Sequence, residues 1–135
     1  MIRKNLILTA LLIIAIWLLA SCKNEETHTL EVKATAYNSL PGQTHAGHPQ
    51  ITAWGDTLKP GIKAIAVSRD LIDLGLDHGT EVTIEGLPGK YIVRDKMNRR
   101  WEKKIDIYMG TNVKQARQWG IKNVTISWKT SPEEK

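Results

Sequence analysis

The sequence has few of the residues and motifs from which many functional sites are built. It holds one cysteine, which excludes an internal disulfide and a cysteine-based metal site. It contains no repeat, no low-complexity tract and no glycine-rich loop of the kind that binds phosphate. Its long apolar run, residues 6–19, would form a helix of roughly 21 Å, too short for a bilayer core of about 30 Å. We therefore expect the 135 residues to form one small domain without a permanent membrane span.

The first residues have the pattern of an export signal. Arg3 and Lys4 precede the apolar run, and the run closes on the small-residue sequence LASC, which ends at Cys22. The sequence LASC resembles the lipobox of bacterial lipoproteins. We therefore expect residues 1–21 to be a signal peptide and Cys22 to carry a lipid, since each buried acyl CH₂ contributes about 0.8 kcal/mol to membrane attachment. A buried or redox-active thiol is the alternative for Cys22.

The residues after Cys22 bear on location. Residues 22–29 are polar and charged, which predicts a flexible tether. Lys23 stands where the enterobacterial sorting rule, by resemblance, would need Asp for retention in the inner membrane. We expect a domain that is lipid-anchored outside the cytoplasm, at the outer membrane and facing the periplasm. The charged stretch 23–26 also resembles tags for export to the cell surface, which is the alternative.

The net charge of the chain limits the kinds of macromolecule that it is expected to bind. Without Arg3 and Lys4 the chain keeps 17 of its 19 basic residues against 14 acidic ones, a net charge of about +3. This mild excess suits an anionic polymer such as a cell-wall glycan or teichoic acid, and it equally fits ordinary solubility. It is far short of the basic surface that nucleic-acid binding requires, so no nucleic-acid partner is expected. The sequence does not indicate an oligomeric state.

The fold class follows from short runs of alternating residues. Apolar and polar residues alternate from Leu30 to Tyr37, which predicts a half-buried strand that opens the domain. Five further short runs, each bounded by glycine or proline, predict strands at 64–67, 81–84, 91–93, 105–108 and 124–128. One helix is predicted from Asn112 to Trp119, with Gly120 at its end, and a second short turn at 70–74. We expect an all-β domain over residues 30–130, closed into a barrel because closure removes exposed strand edges.

Three aspartates are the residues most informative about chemistry. Asp70 and Asp95 follow strands, whereas Asp106 interrupts one. An ionised carboxylate inside an apolar run is costly to bury, so Asp106 needs hydrogen bonds or a cleft. Aspartates at strand ends also bind backbone amides in tight turns, and for Asp70 and Asp95 this structural interpretation stays open beside the functional one.

These residues lie within motifs that resemble a known family, the 3D (Asp-Asp-Asp) domain of cell-wall proteins and of membrane-bound lytic transglycosylase A. The resemblance covers about residues 32–128. It consists of ATAY at 34–37, TAWG at 52–55, AIAV at 64–67, IEG at 84–86, Asp95, IDIY at 105–108, ARQWG at 116–120 and VTI at 124–126. The residues after Asp95, Lys96-Met97-Asn98, depart from the small residue and glycine that are usual there.

The resemblance implies a six-stranded double-psi β-barrel with a groove for peptidoglycan. In its enzymatic members the bond between MurNAc and GlcNAc is cleaved without water, and a 1,6-anhydro sugar is formed. By position, Asp106 matches the catalytic aspartate of the family, and Asp70 and Asp95 match the two supporting ones. The alternatives are a non-catalytic peptidoglycan-binding lipoprotein with the same groove and, less favoured, a barrel similar to rare lipoprotein A.

The chemistry of such a reaction needs only one carboxyl group. Ordinary glycosidases use two, because one protonates the leaving oxygen and the other activates water or attacks the sugar. When the C6 hydroxyl of the substrate is the nucleophile, one residue can first donate a proton and then accept one. That residue must be protonated near neutral pH, and burial or neighbouring negative charge raises its pKa in this direction.

Aromatic and basic residues complete the predicted site. Trp54 and Trp101 are the tryptophans placed to face a glycan, and with Tyr37 we expect them to bind substrate. His45 and His48 are spaced like metal ligands but have no third ligand, so no metal or other cofactor is predicted. A basic cluster is interpreted either as a contact for anionic groups of the substrate or as a solvated loop: Arg94, Lys96, Arg99, Arg100, Lys103 and Lys104.

Overall fold

The computed structural model describes residues 3–7, 24–40 and 50–131. Residues 27–130 form one compact unit, and the helical residues 3–7 belong to another. Three residues discussed above lie outside the described residues. They are Cys22, which is expected to carry a lipid, and His45 and His48, which are spaced like metal ligands. In the described ranges, no helix has the length and apolar character needed to cross a bilayer.

Among its described residues, the compact unit has six strands and two short helices. The strands are β1 (Glu26–Tyr37), β2 (Ala64–Val67), β3 (Glu81–Ile84), β4 (Lys90–Lys96), β5 (Lys104–Tyr108) and β6 (Lys122–Thr130). Each falls on a run predicted from the sequence. The first strand begins at Glu26 and not at Leu30, because its early residues face β6, where the His28 ring stacks on Trp128 and bonds to Thr130.

The strands close into a barrel in the order β1-β5-β2-β4-β3-β6. Strands β1 and β5 are parallel, as are β2 and β4, whereas the β2–β5, β3–β4 and β3–β6 pairs are antiparallel. A parallel pair cannot be joined by a tight hairpin, and in both pairs at least one other strand lies between the two partners in sequence. The predicted all-β fold, a six-stranded double-psi β-barrel with short helices, is confirmed.

The helices lie in two of the connections. Helix α1 (Arg69–Asp73) follows β2, and helix α2 (Val113–Trp119) follows β5. Asn112 caps α2 by accepting a hydrogen bond from the Gln115 amide at 3.0 Å. Gly120 ends it with φ of 65°, a conformation that glycine adopts without strain. Helix α2 therefore begins one residue after the predicted start, with Asn112 as its cap, and ends at Trp119 as predicted.

The barrel interior is filled by the inward residues of the alternating strands. Val32 and Ala34 of β1, Ile65 and Val67 of β2, and Ile107 of β5 are all 2% exposed or less. Trp128 is also buried, whereas Trp119 is only partly buried and packs against the core from α2. The residues between these positions point away from the barrel interior.

The core makes a stability prediction with a matched control. Ile126 is fully buried and Ile121 is 72% exposed. Because Ile126→Ala leaves a cavity, we expect it to lower the free energy of unfolding by about 2–5 kcal/mol. Ile121→Ala should change it by less than about 0.5 kcal/mol. Urea denaturation followed by circular dichroism measures both, and equal effects would contradict the assigned core.

Candidate functional site

One row of outward side chains crosses four neighbouring strands of the barrel. Asp106 pairs with Thr35 of β1 on one side and with Ala66 of β2 on the other, and Ala66 also pairs with Asp95 of β4. Paired residues point to the same face of a sheet, so Thr35, Asp106, Ala66 and Asp95 line one surface. Two strand spacings place the Cα atoms of the two aspartates about 10 Å apart. Ala66 is the small residue between them.

A register shift in the β2–β4 pair puts Asp95 into this row. Ile65 pairs with Val93, but the next residue, Ala66, pairs with Asp95, so Arg94 is an extra residue in β4. A shift of one residue moves a side chain to the opposite face of a sheet. Val93 is buried, and side chains two residues apart in a regular strand point to the same face. Without the extra residue, Asp95 would therefore point into the core as Val93 does. The bulge therefore turns the carboxylate out of the core and towards Asp106.

Asp106 is largely buried within the row. Burial raises the pKa of its carboxyl, and the negative charge of Asp95 acts in the same direction. The Thr35 hydroxyl donates a hydrogen bond to Asp106 Oδ1 at 2.9 Å, and this bond and the Lys104 charge act against the increase in pKa. Burial is the largest effect. The carboxyl is therefore placed to hold a proton more readily than an exposed aspartate.

Asp95 is held more firmly than Asp106. Its Oδ1 accepts hydrogen bonds from the backbone amides of Ala53 and Lys96, both at 2.8 Å. Burial raises the pKa of Asp95 and is the largest effect, whereas the two amide bonds lower it. The bond to Ala53 also fixes the segment that carries Trp54. Asp95 thus acts both as a negative charge beside Asp106 and as an anchor for the loop.

Tyr37 lies next to both aspartates. It is two residues beyond Thr35 on the same face of β1, and its ring packs against Tyr108 at 5.4 Å. Burial raises the pKa of Tyr37 far above its usual range, and the charges of Asp95 and Asp106 raise it further. Within the described residues its buried hydroxyl has no hydrogen-bond partner. A neutral phenol with an unused proton therefore faces the two carboxylates.

Trp101 and Lys104 form the side of the row nearest the start of β5. The Lys104 ammonium lies 3.6 Å from the centroid of the Trp101 ring, and Arg100 lies 4.9 Å from it. Lys104 is only 9% exposed and lies two residues before Asp106 on the same face. Trp101 is 37% exposed, so its ring covers the ammonium and still presents surface to a ligand.

Trp54 lies on the opposite side, on the loop anchored by Asp95. Its ring contacts the His78 ring at 5.2 Å and lies under the Lys96 ammonium at 5.4 Å. Asp56 in the same loop forms an ion pair with His78 and lies 3.7 Å from Arg94 Nη1. The predicted substrate-binding tryptophans therefore border the aspartate row on two sides.

Asp70 does not join the row. It lies at the start of α1, where its Oδ2 accepts a hydrogen bond from the Lys103 amide at 2.9 Å. Lys103 has φ of 44°, a region that a lysine rarely adopts, and this bond holds the strained residue at the entrance to β5. Of the two interpretations of Asp70, the structure favours a backbone-binding, structural role. It does not place Asp70 beside a substrate.

Asp56 is the third carboxylate near the site, and sequence reasoning missed it. Its charge contributes to the raised pKa of Asp95. His78, its ion-pair partner, and Thr35, the hydrogen-bond donor to Asp106, were missed as well. The signal for Thr35 was its place on the polar face of β1. No signal in the sequence joins Asp56 to His78, because they meet only through the folded loops.

Comparisons with known proteins give a distant structural likeness. No protein-family model matches the chain, and no curated protein matches its sequence. An apo expansin of Clavibacter michiganensis matches with a TM-score of 0.48 at 17% identity. A variant of that expansin in complex with cellohexaose matches with a TM-score of 0.46 at 19% identity. Both matches cover 80% of this chain and 52% of the expansin chain, so this chain spans about half its length.

The hydrogen bond from Thr35 supports a titration prediction. Thr35→Val keeps the shape of the side chain but removes the donor that stabilises ionised Asp106. We expect the pKa of Asp106 to rise, measured by carbon-13 NMR of the carboxyl groups. Thr29→Val on the same strand is the control and should leave that pKa unchanged. A pKa of Asp106 that stays constant or falls in Thr35→Val would contradict the described environment.

The buried carboxyl of Asp106 also makes stability depend on pH. Because its pKa is higher in the folded chain than the ordinary value of 3.8, the folded state binds more protons between these two pKa values. Stability contributed by this group is therefore lost as the pH rises through that window. We expect Asp106→Asn to raise the free energy of unfolding at pH 7, with the gain disappearing near about pH 3.

Urea denaturation at both pH values measures this effect. Asp73→Asn is the matched control, because Asp73 is exposed, and it should show no comparable gain at pH 7. A loss of stability in Asp106→Asn at pH 7 would contradict this expectation. It would mean that favourable contacts stabilise the ionised carboxylate by more than burial destabilises it.

Proposed function

We propose that this chain is a lytic transglycosylase that cleaves the MurNAc–GlcNAc bond of peptidoglycan, with Asp106 as its single acid and base. The observation that carries the proposal is the burial of Asp106 in an outward-facing row, with Asp95 on the same face. Burial favours the protonated carboxyl that the first step needs. The resemblance to the 3D domain supplies the substrate class.

The proposed reaction conserves its atoms without water. Protonated Asp106 donates its proton to the glycosidic oxygen as the bond from that oxygen to the anomeric carbon of MurNAc breaks. The C6 hydroxyl of the same sugar then forms the new bond to the anomeric carbon. Asp106, now a carboxylate, accepts the proton of that hydroxyl and is restored. The products are a 1,6-anhydro end and a free GlcNAc hydroxyl.

The neighbours of Asp106 have separate parts in this proposal. Asp95 keeps negative charge near the acid and favours its protonated form. Tyr37 offers a neutral hydroxyl without a partner among the described residues, which suits a hydrogen bond to the bound sugar. Trp54 and Trp101 offer ring faces at the two borders of the row. Asp70 acts as a positioning residue through Lys103.

The proposed substrate lies outside the cytoplasm, which agrees with the export signal expected at residues 1–21. We propose that a lipid on Cys22 holds the domain at a membrane facing the cell wall. A tethered enzyme meets an insoluble polymer at a high effective concentration.

A second candidate function is peptidoglycan binding without cleavage. The observation that favours it is the pair of contacts that stabilise ionised Asp106, the Thr35 hydrogen bond and the Lys104 charge. A carboxylate that stays ionised would accept hydrogen bonds from sugar hydroxyls but would have no proton to donate. The two candidates therefore differ in the protonation of one group and in the products formed.

The test incubates the full chain, purified in detergent, with peptidoglycan sacculi and examines the soluble products by mass spectrometry. We expect 1,6-anhydro-muropeptides, and a loss of about 10²–10⁴-fold in their rate of formation in Asp106→Asn. Asp73→Asn, an exposed aspartate outside the row, should retain the rate. Binding of sacculi without anhydro products would select the second candidate. Products with reducing ends would mean hydrolysis and would overturn the proposed mechanism.

A further inference from the structure

A second concavity lies beside the aspartate row on the outer surface of the barrel. Its volume is about 270 Å³, which is enough for a small substituent. The turn at residues 60–63, the segment 108–112 after β5, Tyr91 and Gln115 form its walls. None of these residues takes part in the chemistry proposed for Asp106.

The cavity has a positive charge that nothing in its walls neutralises. Lys63 is the charged residue among the described residues that line it, and no aspartate or glutamate is among them. The Lys63 ammonium donates a hydrogen bond to the Pro88 carbonyl at 2.7 Å and lies 5.8 Å from the centroid of the Tyr91 ring. A neutral carbonyl and a ring face orient the ammonium but leave its charge available to an anion.

The walls are fixed by contacts from elsewhere in the barrel. The Tyr108 hydroxyl bonds to Ser39 Oγ at 2.8 Å, and buried Asn38 donates to the carbonyls of Met109 and Gly110, both at 3.1 Å. Gly110 has φ of 53°, and a Cβ there would lie 3.1 Å from the Pro60 Cα. The cavity is therefore preformed, which lowers the conformational cost of binding a ligand.

The cavity is close to the aspartate row. Tyr108 lies two residues beyond Asp106 on the same face of β5, about 7 Å along the strand. The Tyr37 ring, which faces the two aspartates, packs against Tyr108 at 5.4 Å. A ligand with one sugar at Asp106 can therefore reach the cavity with a short substituent.

We propose that this cavity binds a carboxylate attached to a carbon that carries a methyl group. Lys63 pairs with the carboxylate, Thr111 and Gln115 add hydrogen-bond donors at the walls, and the rings of Tyr91 and Tyr108 contact the methyl group. This inference rests on the proposed function, because that function names peptidoglycan as the polymer that carries such a carboxylate. Peptidoglycan offers it on a terminal alanine of the stem peptide, and on the lactyl group of those muramyl sugars from which the stem peptide has been removed.

Binding is tested with three probes and two variants of the full chain in detergent. The probes are acetyl-D-alanyl-D-alanine, the same dipeptide with a C-terminal amide, and N-acetylmuramic acid. In a titration followed by two-dimensional NMR, the dipeptide or N-acetylmuramic acid should shift the amide signals of Lys63, Thr111 and Gln115. The carboxylate that binds more tightly identifies which part of peptidoglycan the cavity binds. The amide should bind at least tenfold more weakly than the dipeptide carboxylate if the stem peptide is that source.

Lys63→Met keeps the length of the side chain and removes its charge. It should weaken binding of the carboxylate at least tenfold, whereas Lys59→Met, an exposed lysine outside the lining, should leave the affinity unchanged. The inference fails if neither carboxylate moves the three signals. It also fails if Lys63→Met binds the carboxylate as tightly as the unaltered chain does. If the dipeptide is the tighter of the two carboxylate ligands, the inference fails when the unaltered chain binds the dipeptide and its amide equally well.

These outcomes are separate from those for the proposed function. Carboxylate binding at Lys63 is measured without any cleavage, so a chain that forms no anhydro products can still bind the probes. Conversely, a chain that forms anhydro products and ignores both carboxylates would keep the transglycosylase proposal and lose the carboxylate site. If both hold, Lys63→Met should raise KM for sacculi and leave kcat nearly unchanged, because Lys63 lies away from the reacting bond.

Discussion

The extra residue in β4 is the constraint on which the whole candidate site depends. Arg94 has no pairing partner in β2, and the resulting shift places Asp95 opposite Ala66, which is also the partner of Asp106. The two carboxylates meet on one face only because β2 lies between β4 and β5 in the barrel. The anchoring of the Trp54 loop and the charge beside Asp106 both follow from this one register.

The site is kept at a cost in stability. Burial raises the pKa of both aspartates, because their environment penalises the charge of each carboxylate. Hydrogen bonds from Thr35 to Asp106, and from two backbone amides to Asp95, offset part of this penalty. The strained backbone of Lys103, held by Asp70, lies at the edge of the same region. Such local unfavourable features persist at functional sites because the surrounding structure holds them in place.

Of the site residues, Asp106 could be found from the sequence because a charged residue in an apolar run is an anomaly that needs a physical explanation. Asp70 and Asp95 were found by motif, and the structure separates them. Asp95 lies in the row, whereas Asp70 binds the Lys103 amide. Asp56 was not found because its neighbours, His78 and Arg94, are far from it in the chain. Pattern and spacing describe one strand at a time and cannot show which loops meet above the sheet.

The sequence by itself determined the six strands, helix α2, the closed all-β architecture and the need of Asp106 for hydrogen bonds or a cleft. Alternation, turn residues and capping groups act within a few neighbouring residues, so they can be read along the chain. The tertiary structure alone decided the start of β1 at Glu26, the partners of each aspartate, the cavity at Lys63, and the lack of a hydrogen-bond partner for the Tyr37 hydroxyl among the described residues. These depend on the register between strands distant in sequence and on the bulge at Arg94, which arise from pairing and packing across the whole barrel.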